Sequence, residues 1–315
     1  MSGEVTVAIP NYDGRALLET LLPSIERQTL KPVGTVVVDD CSSDDSVPYL
    51  RERWPQVEVV ALPENRGVTN AMNECLRAAR GELVLLLNND VELDPGCTAA
   101  LVDALAAHPQ AGAAAAKLRD FHDRRLLDGA GDVFYWRGAA VRRGQGKPDD
   151  GRYDQPSEIF AACGAVVLYR RAAIEEVGGF DSRYGALLED VDWSFRAQLL
   201  GYDVRYVPDA LAYHMGSATL GREASAKLAY LTWRNWLWLI AKDYPAGALV
   251  RHAPGLLLWQ LGMLGVALRD RHLRAWWRAW RDALRGMPDV LEDRRTVQAS
   301  RRRSMRQLER IARIR

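Results

Sequence analysis

The stretch Leu83-Val84-Leu85-Leu86-Leu87-Asn88-Asn89-Asp90 decides the fold. Five consecutive apolar residues after a helix-like segment read as a strand buried on both faces of a parallel sheet, so the polar triplet falls at its carboxyl end. Open α/β sheets bind ligands at that edge. An oxygen-rich triplet that closes on a carboxylate suits a hard divalent cation held against a diphosphate, although Asn and Asp are also ordinary turn residues.

On the amino-terminal side, β-rich runs alternate with helical patterns. Residues 5–9 precede a helix over about 15–28, residues 35–38 one over about 47–53, and residues 57–61 one over about 68–80. This alternation predicts right-handed βαβ units and an α/β fold of nucleotide-binding type. The first two turns, Pro10-Asn11-Tyr12-Asp13-Gly14 and Asp39-Asp40-Cys41-Ser42-Ser43-Asp44-Asp45, carry neither a Rossmann glycine fingerprint nor a Walker loop. Phosphate cradling by Gly-rich backbone is therefore not expected.

On the other side, residues 128–152 are rich in Gly and Arg and read as loops or a mobile excursion. A second apolar run, residues 164–169, leads into a helix ended by Gly178-Gly179, and Leu187-Leu188-Glu189-Asp190-Val191-Asp192-Trp193 opens another that stops at Gly201. Acidic residues in a first helical turn also favour the helix dipole, so this cluster has a purely structural reading as well.

With 315 residues and 48% hydrophobic content, the chain can build a large core and is not disordered. Cys41, Cys75, Cys97 and Cys163 form no Cys-x-x-Cys pair and lie near no His cluster, which argues against zinc and a disulfide framework and for a reducing compartment. A strand-like run starting at Val5 leaves no basic-then-apolar leader before it, and the catalytic part is expected to face the cytoplasm.

The net charge of +1 hides an asymmetry: from Ala246 onward sixteen Arg face six acidic residues, a net +10 that leaves −9 for the first 245 residues. A basic tail on an acidic body suggests an anionic partner, nucleic acid or membrane. The uncharged run 253–268 spans only about 24 Å as a helix against roughly 30 Å of hydrocarbon, so no membrane span is expected. Beyond it, Leu273, Trp276 or Trp277, Trp280 and Leu284 recur on one helical face, with Arg271, Arg274, Arg278, Arg281 and Arg285 on another. Trp276, Trp277, Trp280, Arg274 and Arg278 then read as contacts of a helix lying in an anionic membrane interface. A helix packed on the catalytic part, or on a second subunit of a homo-oligomer, has the same pattern. Nucleic acid is disfavoured: residues 294–315 hold nine Arg, but also the helical periodicity Met305, Leu308, Ile311 and Ile314, and no nucleic-acid module.

Five segments stand in a telling order: Ile9-Pro10-Asn11-Tyr12, Val38-Asp39-Asp40-Cys41-Ser42-Ser43-Asp44, Asn65-Arg66-Gly67 with Asn70 and Asn73, Leu87-Asn88-Asn89-Asp90, and Gly178-Gly179-Phe180-Asp181 before Glu189-Asp190-Val191-Asp192. His214 follows, just before Gly216-Ser217. Together they resemble the family 2 glycosyltransferases, inverting enzymes of the GT-A fold. The resemblance implies a GT-A catalytic domain over residues 1–225, with a nucleotide-binding half to about 118 and an acceptor half over 119–225. Its central sheet is expected to be Rossmann-like, mostly parallel and flanked by helices, with an α-helical membrane-associating region over 226–315.

It further implies that Asp39 accepts the ring N–H of a pyrimidine base with Pro10 and Asn11 opposite, while Asp40, Arg66, Asn70, Asn88 and Asn89 complete the donor site. A divalent cation, Mn2+ or Mg2+, would be held by Asp90 and His214, with Asn88 replacing the first carboxylate of the family's Asp-x-Asp motif. Asp190 matches the general base that takes the acceptor's proton, and Glu189 would tune it. Asp192 is expected to face the helix dipole or an arginine, and Gly164, Trp193 and Arg234 are the expected acceptor contacts.

The layout through Trp233-Arg234-Asn235 is similar to bacterial rhamnosyltransferase-type enzymes of cell-envelope polysaccharide assembly. That implies dTDP-rhamnose or a UDP-sugar as donor, a polyprenyl-diphosphate-linked saccharide as acceptor, and a peripheral place on the cytoplasmic face of the membrane. Two other classes remain open. A nucleotidyltransferase needs a Gly-rich, Lys- or Arg-bearing loop after the first strand, which residues 10–14 lack; a non-catalytic, membrane-associated sugar-nucleotide-binding scaffold has Asn88 in place of Asp as its only support, and Asp39, Asp90, Asp190 and His214 count against it.

Overall fold

The apolar runs become the middle of a ten-stranded sheet in the computed structural model, which describes residues 3–216 and 224–312. Strands β1 (Val5–Asn11), β2 (Gly34–Asp39), β3 (Glu58–Ala61) and β4 (Leu83–Leu87) are joined through helices α1 (Arg15–Glu26), α2 (Ser46–Arg53) and α3 (Val68–Ala78). All four run parallel in the spatial order β4-β1-β2-β3. Both β1 and β4 are buried at every position, which is why neither alternates in polarity.

The other half of the sheet departs from the mostly parallel arrangement expected. After β5 (Val91–Leu93), α4 (Cys97–Ala107), β6 (Ala111–Asp120) and the short β7 (Leu127–Gly129), the chain makes β8 (Asp132–Tyr135), β9 (Ala139–Arg142) and β10 (Ser157–Ile159), then enters β11 (Val166–Arg170). Strand β11 inserts between β4 and β6 antiparallel to both, and β12 (Asp203–His214) lies parallel to β6. The sheet is mixed because β11 is reached through this excursion and not through a helical crossover, and only a crossover imposes parallel pairing.

The excursion itself, read as loops, is folded. Strands β8 and β9 pair as a separate two-stranded ribbon, and the buried carboxylate of Asp149 binds Lys117 at 3.0 Å and Arg119 at 2.7 Å, both on β6. Its Gly and Arg content hid the strands, since glycine lowers the strand signal.

Helices α5 (Arg171–Val177) and α6 (Glu189–Leu200) precede β12, and α7 (Ala224–Asp243), α8 (Ala246–Arg269), α9 (Leu273–Ala299) and α10 (Met305–Ala312) follow it. The late helices share a core with the earlier chain: Phe134, Phe160, Tyr184 and Phe195 pack with Trp236, Trp238, Tyr244, Leu308 and Ile311. Ser217 and Ile314 lie outside the described residues. No helix among the described residues is long and apolar enough to cross a membrane.

Part of the basic tail is spent inside the molecule. Arg302 binds Glu176 at 2.5 Å, Arg303 binds Asp203, and Arg294 donates to the carbonyls of Ala241 and Tyr244 at 2.7 Å each. The acidic body is thus one partner of its own tail. The tryptophans of α9 also split: Trp277 is 63% exposed, whereas Trp276 packs with Trp233, Ala267 and Ala279 between helices. The larger outward apolar face is on α8, where Val250, Leu257, Leu258, Leu261 and Leu268 are exposed.

Candidate active site

Strand registers bring the expected residues to one edge. The carboxyl ends of β1, β2 and β4 share it, β11 starts there beside Leu87, and β6 and β12 end there with Asp120 paired to His214.

At the β2 end, Asp39 is 1% exposed. Its Oδ1 accepts from Asn11 Nδ2 at 2.9 Å and Ser42 Oγ at 2.6 Å, and its Oδ2 accepts from the Ser42 backbone N–H at 2.9 Å. A carboxylate has about four acceptor positions, so one on Oδ2 remains for a ligand N–H. Asn11 is held at both ends, because its Oδ1 accepts from Asn89 Nδ2 at 2.9 Å, and it aligns Asp39. Gly14 seals this relay: a Cβ there would sit 2.2 Å from Asn89 Nδ2 and 2.3 Å from Asn11 Oδ1. Pro10, buried at the end of β1, pairs with Val38.

Asp40 faces the backbone. Its two oxygens accept from the backbone N–H groups of Arg66 and Gly67 at 2.8 Å each, so it braces the turn before α3. Asn70 likewise donates to the Arg66 carbonyl at 2.6 Å. The Arg66 side chain is 56% exposed and lies 3.9 Å from Glu64.

Past β4, Asn88 and Asn89 are half-buried and Asp90 is buried. His214 Nε2 faces Asp90 Oδ1 at 3.3 Å, off the angle of a hydrogen bond, and that oxygen is buried without a hydrogen-bond partner among the described residues. On its other side His214 Nδ1 meets Asp128 Oδ2 at 2.8 Å, and the same oxygen accepts from Arg142 at 2.7 Å. Burial opposes a charged imidazole here, but the hydrogen bond to Asp128 and the adjacent Asp90 carboxylate prevail and raise the His214 pKa to about 9. Burial likewise opposes the Asp128 charge, and His214 and Arg142 override it to hold that carboxyl below its ordinary range.

An orphaned carboxylate oxygen facing an imidazole nitrogen is a donor pair that fits Mn2+ or Mg2+, the remaining positions falling to diphosphate oxygens and water. No group of three or more His, Cys, Asp or Glu side chains among the described residues forms a ready-made metal cage.

Glu189 and Asp190 begin α6, half-buried. Asp190 Oδ2 accepts from the Gly164 backbone N–H at 2.9 Å and Oδ1 from the Val191 N–H at 2.8 Å. Burial raises the Asp190 pKa, while these two N–H groups and the Arg142 charge restrain the shift. Burial and the neighbouring Asp190 push Glu189 up to about 8. Asp132 on β8, buried with Oδ1 unpartnered among the described residues, is pushed up to about 7 by burial and the Asp190 charge. Such a carboxylate, oriented by backbone and biased toward holding a proton, is suited to general-base work.

The expected acceptor contacts divide. Gly164 belongs to the site as the seat of Asp190, since a Cβ there would lie 3.2 Å from Asp190 Oδ2. Trp193 is fully buried, its indole N–H donating to the Gly178 carbonyl at 2.9 Å and its ring edge-on to Tyr169; it is a core residue. Arg234 donates to the carbonyls of Arg183 at 3.0 Å and Tyr184 at 2.8 Å, so it supports the loop before α6 and cannot also grip a saccharide through that amine. Asp192 does meet an arginine, Arg196 at 2.9 Å, together with Lys242 at 2.5 Å.

Residues 6–178 match the model of Glycosyl transferase family 2, more than half of the chain. The chain is a family 2 glycosyltransferase. This glycosyltransferase is 28% identical, over 98% of its length and 99% of the relative's, to the N-acetylglucosaminyl-diphospho-decaprenol L-rhamnosyltransferase of Mycobacterium tuberculosis. Among solved structures it is similar to GalNAc-T7 with UDP, GalNAc and Mn2+, at a TM-score of 0.61 and 17% identity over 76% of this chain and 48% of that one. A mannosyltransferase from Pyrobaculum calidifontis in complex with GDP-Man and Mn2+ matches 94% of this chain and 87% of its own at a TM-score of 0.54 and 20% identity. The glycosyltransferase thus has the GT-A-like α/β fold expected, with a mixed sheet.

Asp128, Asp132 and Arg142 escaped the sequence reading. All three sit in the excursion, and only the pairing of His214 with a carboxylate partner, a common need of a buried histidine, could have signalled one of them.

Proposed function

We propose that this glycosyltransferase is an inverting, cation-dependent enzyme that moves L-rhamnose from dTDP-rhamnose to a polyprenyl-diphosphate-linked saccharide. The observation that carries the reading is the gathering of Asp39, the Asp90–His214 pair and Asp190 along one sheet edge. Asp39 would take the ring N–H of the base on its remaining Oδ2 position, a contact that thymine and uracil share. Because Asp39 is 1% exposed, base entry would require the segments around it to shift. Arg66 would meet the diphosphate as a counter-charge.

Asp90 and His214 would hold Mn2+ or Mg2+, with Asn88 as a neutral neighbour. The cation supplies charge neutralisation on the departing diphosphate. Asp190, held by Gly164 and Val191, takes the proton of the acceptor hydroxyl as that oxygen attacks the anomeric carbon, and Glu189 keeps the local charge low by holding a proton of its own. One carboxylate suffices because no covalent sugar–enzyme bond forms. The full-length likeness to an L-rhamnosyltransferase whose name includes diphospho-decaprenol supports this choice of sugar and acceptor.

With a polyprenyl acceptor the enzyme would work at a membrane surface, in this reading on the cytoplasmic face. The exposed apolar face of α8 beside Trp277 and the exposed Arg271, Arg274 and Arg278 supports contact with an anionic bilayer. The test is a panel of nucleotide sugars with Mn2+ or Mg2+, read by calorimetric binding and by slow donor hydrolysis. Binding of dTDP-rhamnose that weakens on chelation is expected. A preference for a UDP-sugar would correct the donor alone, and binding indifferent to chelation would remove the cation.

A further inference from the structure

The segment that delivers Asp190 is strained. After a 3-10 turn at Ser182–Tyr184, Gly185 has φ 71°, and Leu187 and Leu188 have φ 68° and 70°, two consecutive non-glycine residues in the left-handed region immediately before Glu189-Asp190. Left-handed backbone disfavours a side chain with a Cβ, so two adjacent leucines there persist only where surroundings impose them.

What imposes them is on α7. Asn235, fully buried, points its amide at three carbonyls of this segment: Nδ2 lies within donating distance of those of Tyr184 at 3.2 Å, Ala186 at 2.9 Å and Leu187 at 2.8 Å. Its Oδ1 accepts from Arg234 Nε at 3.0 Å and Nη2 at 2.9 Å, and Arg234 Nη2 in turn donates to the carbonyls of Arg183 and Tyr184. Two adjacent side chains thus collect every backbone carbonyl from residue 183 to 187 except that of Gly185, which accepts from the Thr69 N–H at 3.4 Å. Below the clamp, Tyr184 donates to Asp192 at 3.0 Å, and Lys242, also on α7, meets the same carboxylate.

We propose that Arg234 and Asn235 are positioning residues for the reaction: they hold the left-handed Leu187-Leu188 turn and thereby aim the first turn of α6, carrying Asp190, at the Gly164 N–H and the acceptor. The inference rests on Asp190 as base. It makes α7 part of the active centre and not only a link to the membrane-facing helices. Without the amide, the carbonyls of Ala186 and Leu187 lose this donor and that of Tyr184 keeps only Arg234, the leucines relax toward right-handed φ, and the helix start rotates with Asp190 on it.

The test uses the full chain carrying Asn235→Ala or, because Arg234 is half-exposed and better tolerated, Arg234→Ala. Hydrogen exchange by mass spectrometry is read over residues 184–192 and over the strands, together with dTDP and UDP affinity, kcat, and the pH dependence of kcat/KM. Expected are exchange at least tenfold faster over 184–192 with unchanged strands, nucleotide affinity within twofold, kcat at least tenfold lower, and a displaced acid limb. Asn235→Asp, isosteric but unable to donate to carbonyls when ionised, should behave like Asn235→Ala. Unchanged exchange over 184–192 in Arg234→Ala would overturn the clamp, as would an unaltered kcat and acid limb with only a lowered melting temperature. If the parent transfers no sugar, the exchange result still judges the clamp, and the glycosyl-transfer reading fails by itself.

Discussion

Substituting Gly164→Ala isolates the seating of Asp190 from its chemistry. Gly164 does not have positive φ, so alanine costs nothing in backbone strain, and the whole effect comes from one contact. The new Cβ would stand 3.2 Å from Asp190 Oδ2 and 3.4 Å from Asp190 Cβ, tight enough to displace the carboxyl by a few tenths of an ångström. That stretches the 2.9 Å bond from the Gly164 N–H. A hydrogen bond to a charged group contributes about 1.5–3 kcal/mol, and losing half of it costs about 0.7–1.5 kcal/mol. At about 1.4 kcal/mol per tenfold, kcat falls roughly three- to tenfold.

The same N–H restrains a pKa that burial raises, so weakening it raises the pKa further and moves the acid limb of kcat/KM to higher pH. Steady-state kinetics from acid to neutral pH, with dTDP or UDP affinity measured alongside, gives all three quantities. An unmoved acid limb with unchanged kcat refutes the seating, and nucleotide affinity lost in step with kcat refutes Asp190 as an acceptor-side group.

Three further outcomes are expected. Asp190→Asn keeps the shape and one hydrogen-bond acceptor but cannot take a proton, so kcat falls about 10²- to 10⁴-fold while calorimetric donor binding stays within a few-fold; near-normal turnover excludes it as base. His214 has a folded pKa of about 9 against 6.5 as a free side chain, so its ion pairing stabilises the metal-free fold fully below pH 6.5 and is lost as pH rises toward 9. Thermal melting between those pH values should fall, and His214→Gln should flatten the slope; an equally steep variant would place the titration elsewhere. Leu258→Glu with Leu261→Glu, both exposed on α8, should cut cosedimentation with anionic vesicles at least tenfold without lowering the melting temperature, since burying one leucine contributes about 1.5–3 kcal/mol. Undiminished vesicle binding would move the membrane contact off α8.

The parallel half of the sheet was legible because its signal is local. Buried strands are continuous apolar runs and each crossover helix has its own periodicity, so Leu83–Leu87 and its neighbours announce themselves. The family segments were legible for a related reason: Asp39, Asp90 and Asp190 follow short, recognisable strand or helix boundaries. The partners of Asp40 and Asn11 were not legible, because a carboxylate or amide at a ligand edge looks the same in sequence whether it meets a ligand, a backbone N–H or another side chain.

By itself, then, the sequence determined the fold family, the edge of the sheet where chemistry resides, and most of the side chains that gather there. Tertiary structure decided which of them are free to act. It turned Asp40, Trp193 and Arg234 into supports, brought Asp128, Asp132 and Arg142 in from an excursion without periodicity, and set Asn235 of α7 against carbonyls some fifty residues earlier. The reason is physical: a hydrogen-bonding group's role is fixed by its partner, and partners distant in the chain leave no pattern in the residues beside them.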